Sequence, residues 1–517
     1  MHPSQHARLN PERLALVVAD TGEQLTYGEL ESASNQAAQY FRSVGLAPGD
    51  RVGLMLANSR WYAVLYWGAQ RAGLMVAPLS THLKAAEVSY ILNDCGARLL
   101  VADSELGDAA REILRDAKQQ VASLEHVCDI ATGPDAVGQG WIETVSAQPC
   151  TPLSDEISGY YLIYSSGTTG RPKGVVLPFE AGPIERPGQT EQISMARLQQ
   201  YSPVVTFNGG PLYHAAPLVS MLVTHRCGGT AVIMRKFDAE GALRAIEKWK
   251  VTYAQFVPTM FIRMLALPEK LRNSFDLSSL QCVIHSAAPC PVAVKRQMLE
   301  WLGPIVHEYY SGSEAVGMCQ IGPEEWLEKP GSVGRPVWGT IRVCDDDGHL
   351  LPPNTDGQVY FESDRTIEYL NDPDKTRSAR HPAHENWLSM GDVGHVDEDG
   401  YLFLTDRKNF MIISGGVNIY PQAIENHLVM HPAVYDVAVI GVPNAEYGEE
   451  VKAVVQLEKG FQADPEMVAE LTAYCRDHLS HVSCPRSFDF IDELPRLQSG
   501  KLAKHLLRDR YRDGSAA

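Results

Sequence analysis

Apolar residues recur along this chain at two spacings, and the spacing changes from stretch to stretch. In "LTYGELESASNQAAQYFRSVGL", Leu30, Ala33, Ala37 and Phe41 fall near helical spacing, which predicts a strand and turn leading into an amphipathic helix. "RVGLMLAN" and "GLMVAPL" are short unbroken apolar runs instead, the pattern of strands buried on both faces. "AAEVSYILNDCGARLLVAD" predicts helix, turn and strand. "DAEGALRAIEKWKVTYAQFVP" repeats that order, with Leu243, Ile246 and Lys250 at helical spacing before a β-rich run. Helices alternating with buried strands predict an α/β protein with layered, largely parallel sheets.

The pattern changes near Thr405. "GYLFLTDRKNF" closes one strand-rich stretch and "MIISGGVNIYPQAIENHL" opens another. Beyond it the spacing predicts a helix in "PQAIENHLVM", strands in "YDVAVIGV" and "EEVKAVVQLE", a helix in "PEMVAELTAYCRDHL" and a strand in "RSFDFI". That set suffices for a compact α+β unit. The predicted organisation is a large N-terminal domain of layered α/β subdomains over 1–405, a hinge at 406–409 and a small mobile α+β C-terminal domain over 410–517. No Gly/Ser tether joins the two, so motion between them is expected to turn on a few residues.

Composition narrows the function classes. A net charge of -18 argues against a broad nucleic-acid footprint, which needs a basic surface. The chain has 44% hydrophobic and 21% charged residues, as ordinary soluble globular proteins do. Its ten cysteines are scattered without C-x-x-C spacing and read as reduced thiols. The start, "MHPSQHARLNPERLA", lacks an apolar signal core, and no apolar run approaches the length of a transmembrane segment. The expected location is the cytoplasm.

One stretch carries chemistry on its face: "YYLIYSSGTTGRPKGVV", Tyr160 to Val176. Gly167 and Gly170 flank Thr168 and Thr169, Ser165 and Ser166 add hydroxyls, and Lys173 follows. Glycine lets the backbone approach a ligand closely. Successive N–H groups with hydroxyls make a concave anion site, and lysine adds a point charge. Phosphate is the natural guest. The spacing is not that of G-x-x-x-x-G-K-[ST]. Taken alone, the same residues also make an ordinary surface turn.

Six further segments stand in order: "LTYGEL", "PLYHAAP", "EYYSGSEA", "SMGDVGHVDEDGYLFLTDRK", "FMIISGGVNIYP" and "LPRLQSGK". With the loop, they span Leu25 to Lys501 and resemble the adenylate-forming superfamily of acyl-CoA synthetases, peptide-synthetase adenylation domains and luciferases. The resemblance implies a reaction in two halves. A carboxylate attacks the α-phosphorus of ATP, giving acyl-AMP and pyrophosphate; a thiol then displaces AMP. Two anions must meet, so the demands are charge neutralisation and alignment, with no covalent enzyme nucleophile.

The resemblance assigns roles residue by residue. Ser165, Ser166, Gly167, Thr168, Thr169, Gly170 and Lys173 face the phosphates. Glu314 holds Mg²⁺, a cation that a lone carboxylate and phosphate oxygens suit. Ser313 stands where the family usually has threonine. Glu308, Tyr309 and Tyr310 border the nucleotide, with Tyr310 packed on adenine, and Ala288 lies in the adenine-side loop "SAAP" (Ser286–Pro289). Asp392 takes the ribose hydroxyls, since a carboxylate can accept from both. Arg407 lies near ribose and phosphate. His214 borders the acyl site, with a neutral core histidine as the competing reading. Lys501 reaches from the small domain to the carboxylate and α-phosphate. Ser414, Gly415 and Gly416 enter for the second half, the pivot being Asn409, where many relatives carry Asp or Lys.

The implied acyl pocket runs from His214 to about Met221, with "VIHSAAP" and "SGSEAVGM". It is rich in small residues, among them Ala215, Ala216, Ala287, Gly312, Ala315 and Gly317. No basic residue evidently awaits a second carboxylate. "THLKAAEVSYILNDCGA" and "HSAAPCPVAVKRQMLEW" resemble the branch that activates bulky or long hydrophobic acids: fatty, aromatic or steroid-like. No carrier-protein domain is expected beyond Lys501, so the implied partners are a small-molecule carboxylic acid, ATP and coenzyme A. Transfer to a carrier protein or amine, and nucleotide binding without turnover, are the alternatives. Homodimerisation is left open.

Overall fold

A computed structural model describes residues 1–131, 137, 139–165, 172–407, 410–414, 417–444, 446–495 and 502–512. The amphipathic stretch forms a helix, Tyr27–Ser43, with Leu30, Ala37 and Phe41 buried. Its start is fixed reciprocally. The Thr26 hydroxyl accepts from the Glu29 N–H, and the Glu29 carboxylate accepts from the Thr26 N–H at 2.8 Å. The later helix, Ala239–Trp249, begins at Asp238 and stops at Lys250, which takes a left-handed conformation with φ +49°. Lys250 is thus the cap of that helix rather than part of its buried stripe.

Two large sheets carry the N-terminal part. One is six-stranded and wholly parallel, in the order Gln139–Gly140, His126–Asp129, Leu99–Ala102, Arg51–Met55, Met75–Pro78, Tyr160–Tyr161. The other is 14-stranded. Six of its strands match the expectation of parallel strands: Leu14–Val18, Thr230–Ile233, Val205–Asn208, Tyr253–Phe256, Cys282–His285 and Val306–Tyr310 run side by side in one direction. From Met318–Ile321 onward the neighbours are antiparallel, through Ser332–Trp338, Leu402–Arg407, Asp392–Val396, Gly357–Glu362 and Thr340–Cys344. A parallel neighbour needs a crossover of a dozen or more residues, usually a helix. Tyr310 and Met318 are too close in sequence for one.

Each large sheet has a strand where the winding reverses. Val205–Asn208 lies between the next two strands of the chain, Thr230–Ile233 and Tyr253–Phe256. Arg51–Met55 lies likewise between Met75–Pro78 and Leu99–Ala102. Ligand crevices open outside the carboxyl ends of strands at such points. Here the two points are tied together by one buried side chain. Asn58 Nδ2 donates to the Gly210 and Met234 carbonyls, both at 2.9 Å, and Asn58 Oδ1 accepts from the Leu212 N–H at 2.8 Å.

A third sheet is small: Ile163–Ser165, Lys173–Val176 and Glu368–Tyr369. The expected α+β unit has a separate five-stranded sheet of Val417–Ile419, Ile412–Ser414, Gly448–Leu457 and Val434–Asn444, with Ser487–Phe490 parallel on Gly448–Leu457. Helices Pro421–Leu428 and Pro465–His478 complete its core around Ile424, Leu428, Val439, Ala453 and Leu471. Leu402–Arg407, the last strand of the large sheet, carries that sheet past residue 405 to Arg407. Among the described residues no helix is long and apolar enough to cross a membrane.

Candidate active site

The carboxyl ends of the large sheet and the small three-stranded sheet converge. Ile163–Ser165 and Lys173–Val176 pair as a hairpin, Ser165 opposite Lys173. Ser166, Gly167, Thr168, Thr169 and Gly170 lie outside the described residues. Lys173 Nζ stands 2.9 Å from Asp372 Oδ2. The Lys375 backbone N–H and the Lys173 ammonium hold the Asp372 carboxyl below its usual range.

The third strand of that sheet links the hairpin to Glu314. Val175 pairs with Tyr369, whose hydroxyl donates to Glu314 Oε1 at 2.9 Å. Glu314 sits in a tight loop after Val306–Tyr310. Ala315 takes a left-handed φ of +49° there. A Cβ on Gly312 would meet Met390 Sδ and Glu314 Oε2, so a side chain there would displace the Glu314 carboxylate or the Met390 thioether. Ser313 is half-buried in the same loop.

Met390 leads into Asp392, which is buried and accepts from the Tyr310 hydroxyl at 2.5 Å. The backbone of Arg407 pairs opposite Asp392; the Arg407 side chain lies outside the described set. Tyr310, Gly312, Glu314, Lys173 and Asp392 are therefore brought into one connected patch. Between them they offer a fixed acceptor for hydroxyls, a carboxylate oriented by a phenol, and a cation at a hairpin base.

Two of the implied nucleotide neighbours have their polar atoms engaged elsewhere. Glu308 Oε2 meets Lys295 Nζ at 2.5 Å, both groups buried, and His285 Nε2 lies 3.4 Å from the same oxygen. Burial raises the Glu308 carboxyl and lowers the Lys295 ammonium, while their mutual attraction pulls each back. The Tyr309 hydroxyl accepts from Gln255 Nε2 at 3.1 Å, and Gln255 Oε1 accepts from Asn208 Nδ2 at 3.2 Å. These two form a polar line across the reversal point. Ala288 is half-buried in the adenine-side loop, next to Ala287 with φ +76°.

His214 caps the start of helix Ala215–Arg226, its ring 4.7 Å from that of Tyr213. The preceding loop is the one that Asn58 fixes. Ser414 ends strand Ile412–Ser414, opposite Val417 and Gly448. Gly415, Gly416, Asn409 and Lys501 lie outside the described residues. Sequence reasoning missed Asn58, Gln255, Tyr369 and Asp372. The available signal was positional: Asn58 and Gln255 are amides at the carboxyl ends of buried strands.

Comparisons with known proteins fit this geometry. The AMP-binding enzyme family matches residues 4–368, and the AMP-binding enzyme C-terminal domain matches 423–501. The chain is 30% identical over 510 residues to the long-chain-fatty-acid–CoA ligase FadD13 of Mycobacterium tuberculosis, covering 98% of this chain and 97% of that one. It is 32% identical over 518 residues to the feruloyl-CoA synthase of an Amycolatopsis species, covering 98% of each. Among solved structures, the anthranilate CoA ligase AuaEII in complex with anthranoyl-AMP superposes with a TM-score of 0.83 at 25% identity, over 100% of this chain and 97% of that one.

Proposed function

We propose, from the premise that the chain belongs to the AMP-binding enzyme family, an ATP-dependent acyl-CoA ligase reaction on a bulky or long hydrophobic carboxylic acid. The protein is an AMP-forming acid–thiol ligase, a class for which ATP and coenzyme A are substrates. In the reading favoured here, the acid attacks the α-phosphorus of ATP to give acyl-AMP and pyrophosphate, and coenzyme A then takes the acyl group and releases AMP. Fatty, aromatic and steroid-like acids are the candidate substrates.

The observation that carries this reading is the pair of oriented carboxylates. Asp392 is held by Tyr310 and Glu314 by Tyr369, on either side of the loop 310–315. A buried acceptor suits the two hydroxyls of a ribose. Glu314 is half-buried, with Oε1 on Tyr369 and Oε2 packed against Gly312. One oriented carboxylate fits Mg²⁺, which is otherwise satisfied by phosphate oxygens and water. When bound, Mg²⁺ supplies neutralisation of phosphate charge. Lys173 and the loop 165–170 are assigned to the phosphates. His214 is assigned to the acyl crevice, Ala288 to the adenine side, and Arg407 to ribose and phosphate. Glu308 and Tyr309 support this wall from below. The small unit from 410 turns about 406–409, bringing Lys501 in for the first half and Ser414–Gly416 for the second.

A panel of carboxylic acids with ATP, Mg²⁺ and coenzyme A tests this, read by pyrophosphate release and by thioester mass. Acid-dependent pyrophosphate and AMP with a thioester product are expected. ADP as the only nucleotide product, whichever acid is offered, contradicts it. Pyrophosphate without thioester points to transfer to a carrier protein or amine.

A further inference from the structure

The sequence alone offers no basic residue for a second carboxylate; the fold supplies one. A cavity of about 690 Å³ opens between helix Gln189–Leu198 and the strand ends that carry Trp338 and Arg365. Arg365 is among the residues that line it. Its Nη1 donates to the Ala315 carbonyl at 3.1 Å, and its guanidinium lies 3.3 Å from the centre of the Trp338 ring. Ala315 is the residue after Glu314, so this cation touches the loop that holds the oriented carboxylate.

Arg365 is charged, half-buried and without a carboxylate among the described residues. Arg342, on the same cavity, is already matched by Glu362 at 2.7 Å, and Asp364 is exposed. Burial lowers the Arg365 pKa to about 10, with Tyr160 and Tyr161 pulling it back up. A guanidinium has five N–H donors in a planar fork that matches a carboxylate, and here one is taken by Ala315. A partly desolvated cation gains most from an anion that arrives with its ligand. Pro178, Ile193 and Trp338 give a mostly polar cavity one apolar strip along which the body of such a ligand could lie.

We propose that Arg365 receives a distal anionic group of the substrate, so that the preferred acids carry a second carboxylate at the end of a hydrophobic body. This rests on the acid-activating reading above, with the reacting carboxylate at the Glu314 loop.

The test compares α,ω-dicarboxylates with monocarboxylates of equal chain length, and arylalkanoates with and without a ring carboxylate. Two measurements are made: kcat/KM from pyrophosphate release, and calorimetric binding of the free acids without ATP. The wild-type chain is expected to favour the diacid by about tenfold or more in both. Arg365→Met should collapse that ratio, and Arg365→Glu should shift preference toward ω-amino acids. Damage to the Ala315 loop alone lowers both members of a pair and leaves the ratio intact, which overturns the proposal. So does equal calorimetric binding of diacid and monoacid to the wild type. If no acid releases pyrophosphate, the functional reading falls, while calorimetry on the same variants still decides the role of Arg365.

Discussion

Tyr369 reaches Glu314 across 55 residues of sequence, its hydroxyl 2.9 Å from Oε1. A hydrogen bond to a charged acceptor is worth about 1.5–3 kcal/mol. Tyr369→Phe should therefore cut the rate of acyl-AMP formation by about 10- to 100-fold, because Glu314 is no longer aimed. The KM for the acid should move much less. Pyrophosphate-release kinetics at varied ATP and acid check this; an unchanged kcat contradicts it. His225 acts on stability instead. Its Nδ1 accepts from Trp67 Nε1 at 3.0 Å and its Nε2 faces the Ala15 carbonyl at 3.1 Å, the pattern of a neutral ring. Burial lowers its pKa from 6.5 to about 4. A folded value below the unfolded one means the stabilisation is complete above pH 6.5 and is lost as pH falls toward 4. The gap corresponds to roughly 3 kcal/mol. Urea unfolding between pH 6.5 and 4 should lose that much less stability in His225→Gln, which cannot take up the proton; an identical pH slope in both proteins contradicts it.

At the scale of elements, the buried Lys295–Glu308 pair joins helix Val292–Leu302 to strand Val306–Tyr310, under the loop that carries Ala287 and Ala288. Removing one partner leaves a buried charge uncompensated. Lys295→Met should cost about 3–5 kcal/mol of unfolding free energy, and Lys295→Met with Glu308→Leu should recover most of it. Urea denaturation of the two variants separates this from a dispensable ion pair, for which the single variant would stay within about 1 kcal/mol of wild type. The same elements show what the sequence could and could not reveal. Helix Tyr27–Ser43 was legible because its apolar stripe and its Thr26–Glu29 cap are both local. Three strands of the six-stranded sheet, Arg51–Met55, Met75–Pro78 and Leu99–Ala102, were legible because burial on both faces leaves an unbroken apolar run, whereas His126–Asp129 and Gln139–Gly140 carry no such run. The antiparallel part of the large sheet was not legible, because pairing direction depends on connection length rather than on side-chain period. Motif loops exposed Glu314 and Asp392. Tyr369, Asn58 and Arg365 were hidden, since each acts on a residue distant in sequence through an ordinary-looking side chain.

For the whole molecule, the question is how Lys501, proposed to act in the first half-reaction, would reach a site built by the first 407 residues. Lys501 itself lies outside the described residues, but the frame around it is in view. The Ala503 N–H donates to the Pro495 carbonyl at 2.8 Å and closes the base of the segment between them. Lys504 is buried and meets Glu425 Oε1 at 2.8 Å, which ties helix Lys504–Arg512 to helix Pro421–Leu428. The residues on both sides of 496–501 thus belong to the small unit, as do strands Ile412–Ser414 and Val417–Ile419 on both sides of 415–416. If Lys501 and Ser414–Gly416 serve separate steps at one site, as proposed, the unit that carries both must turn between those steps. Lys501→Ala should then lower acyl-AMP formation by about 100-fold or more, the usual scale for losing a charge aimed at a transition state. Thioester formation from supplied acyl-AMP should be nearly spared if, as proposed, the lysine leaves the site before that step. Measuring the two half-reactions separately on the same variant decides the matter. Equal loss in both would mean that Lys501 stays at the site throughout, and that the small unit does not alternate.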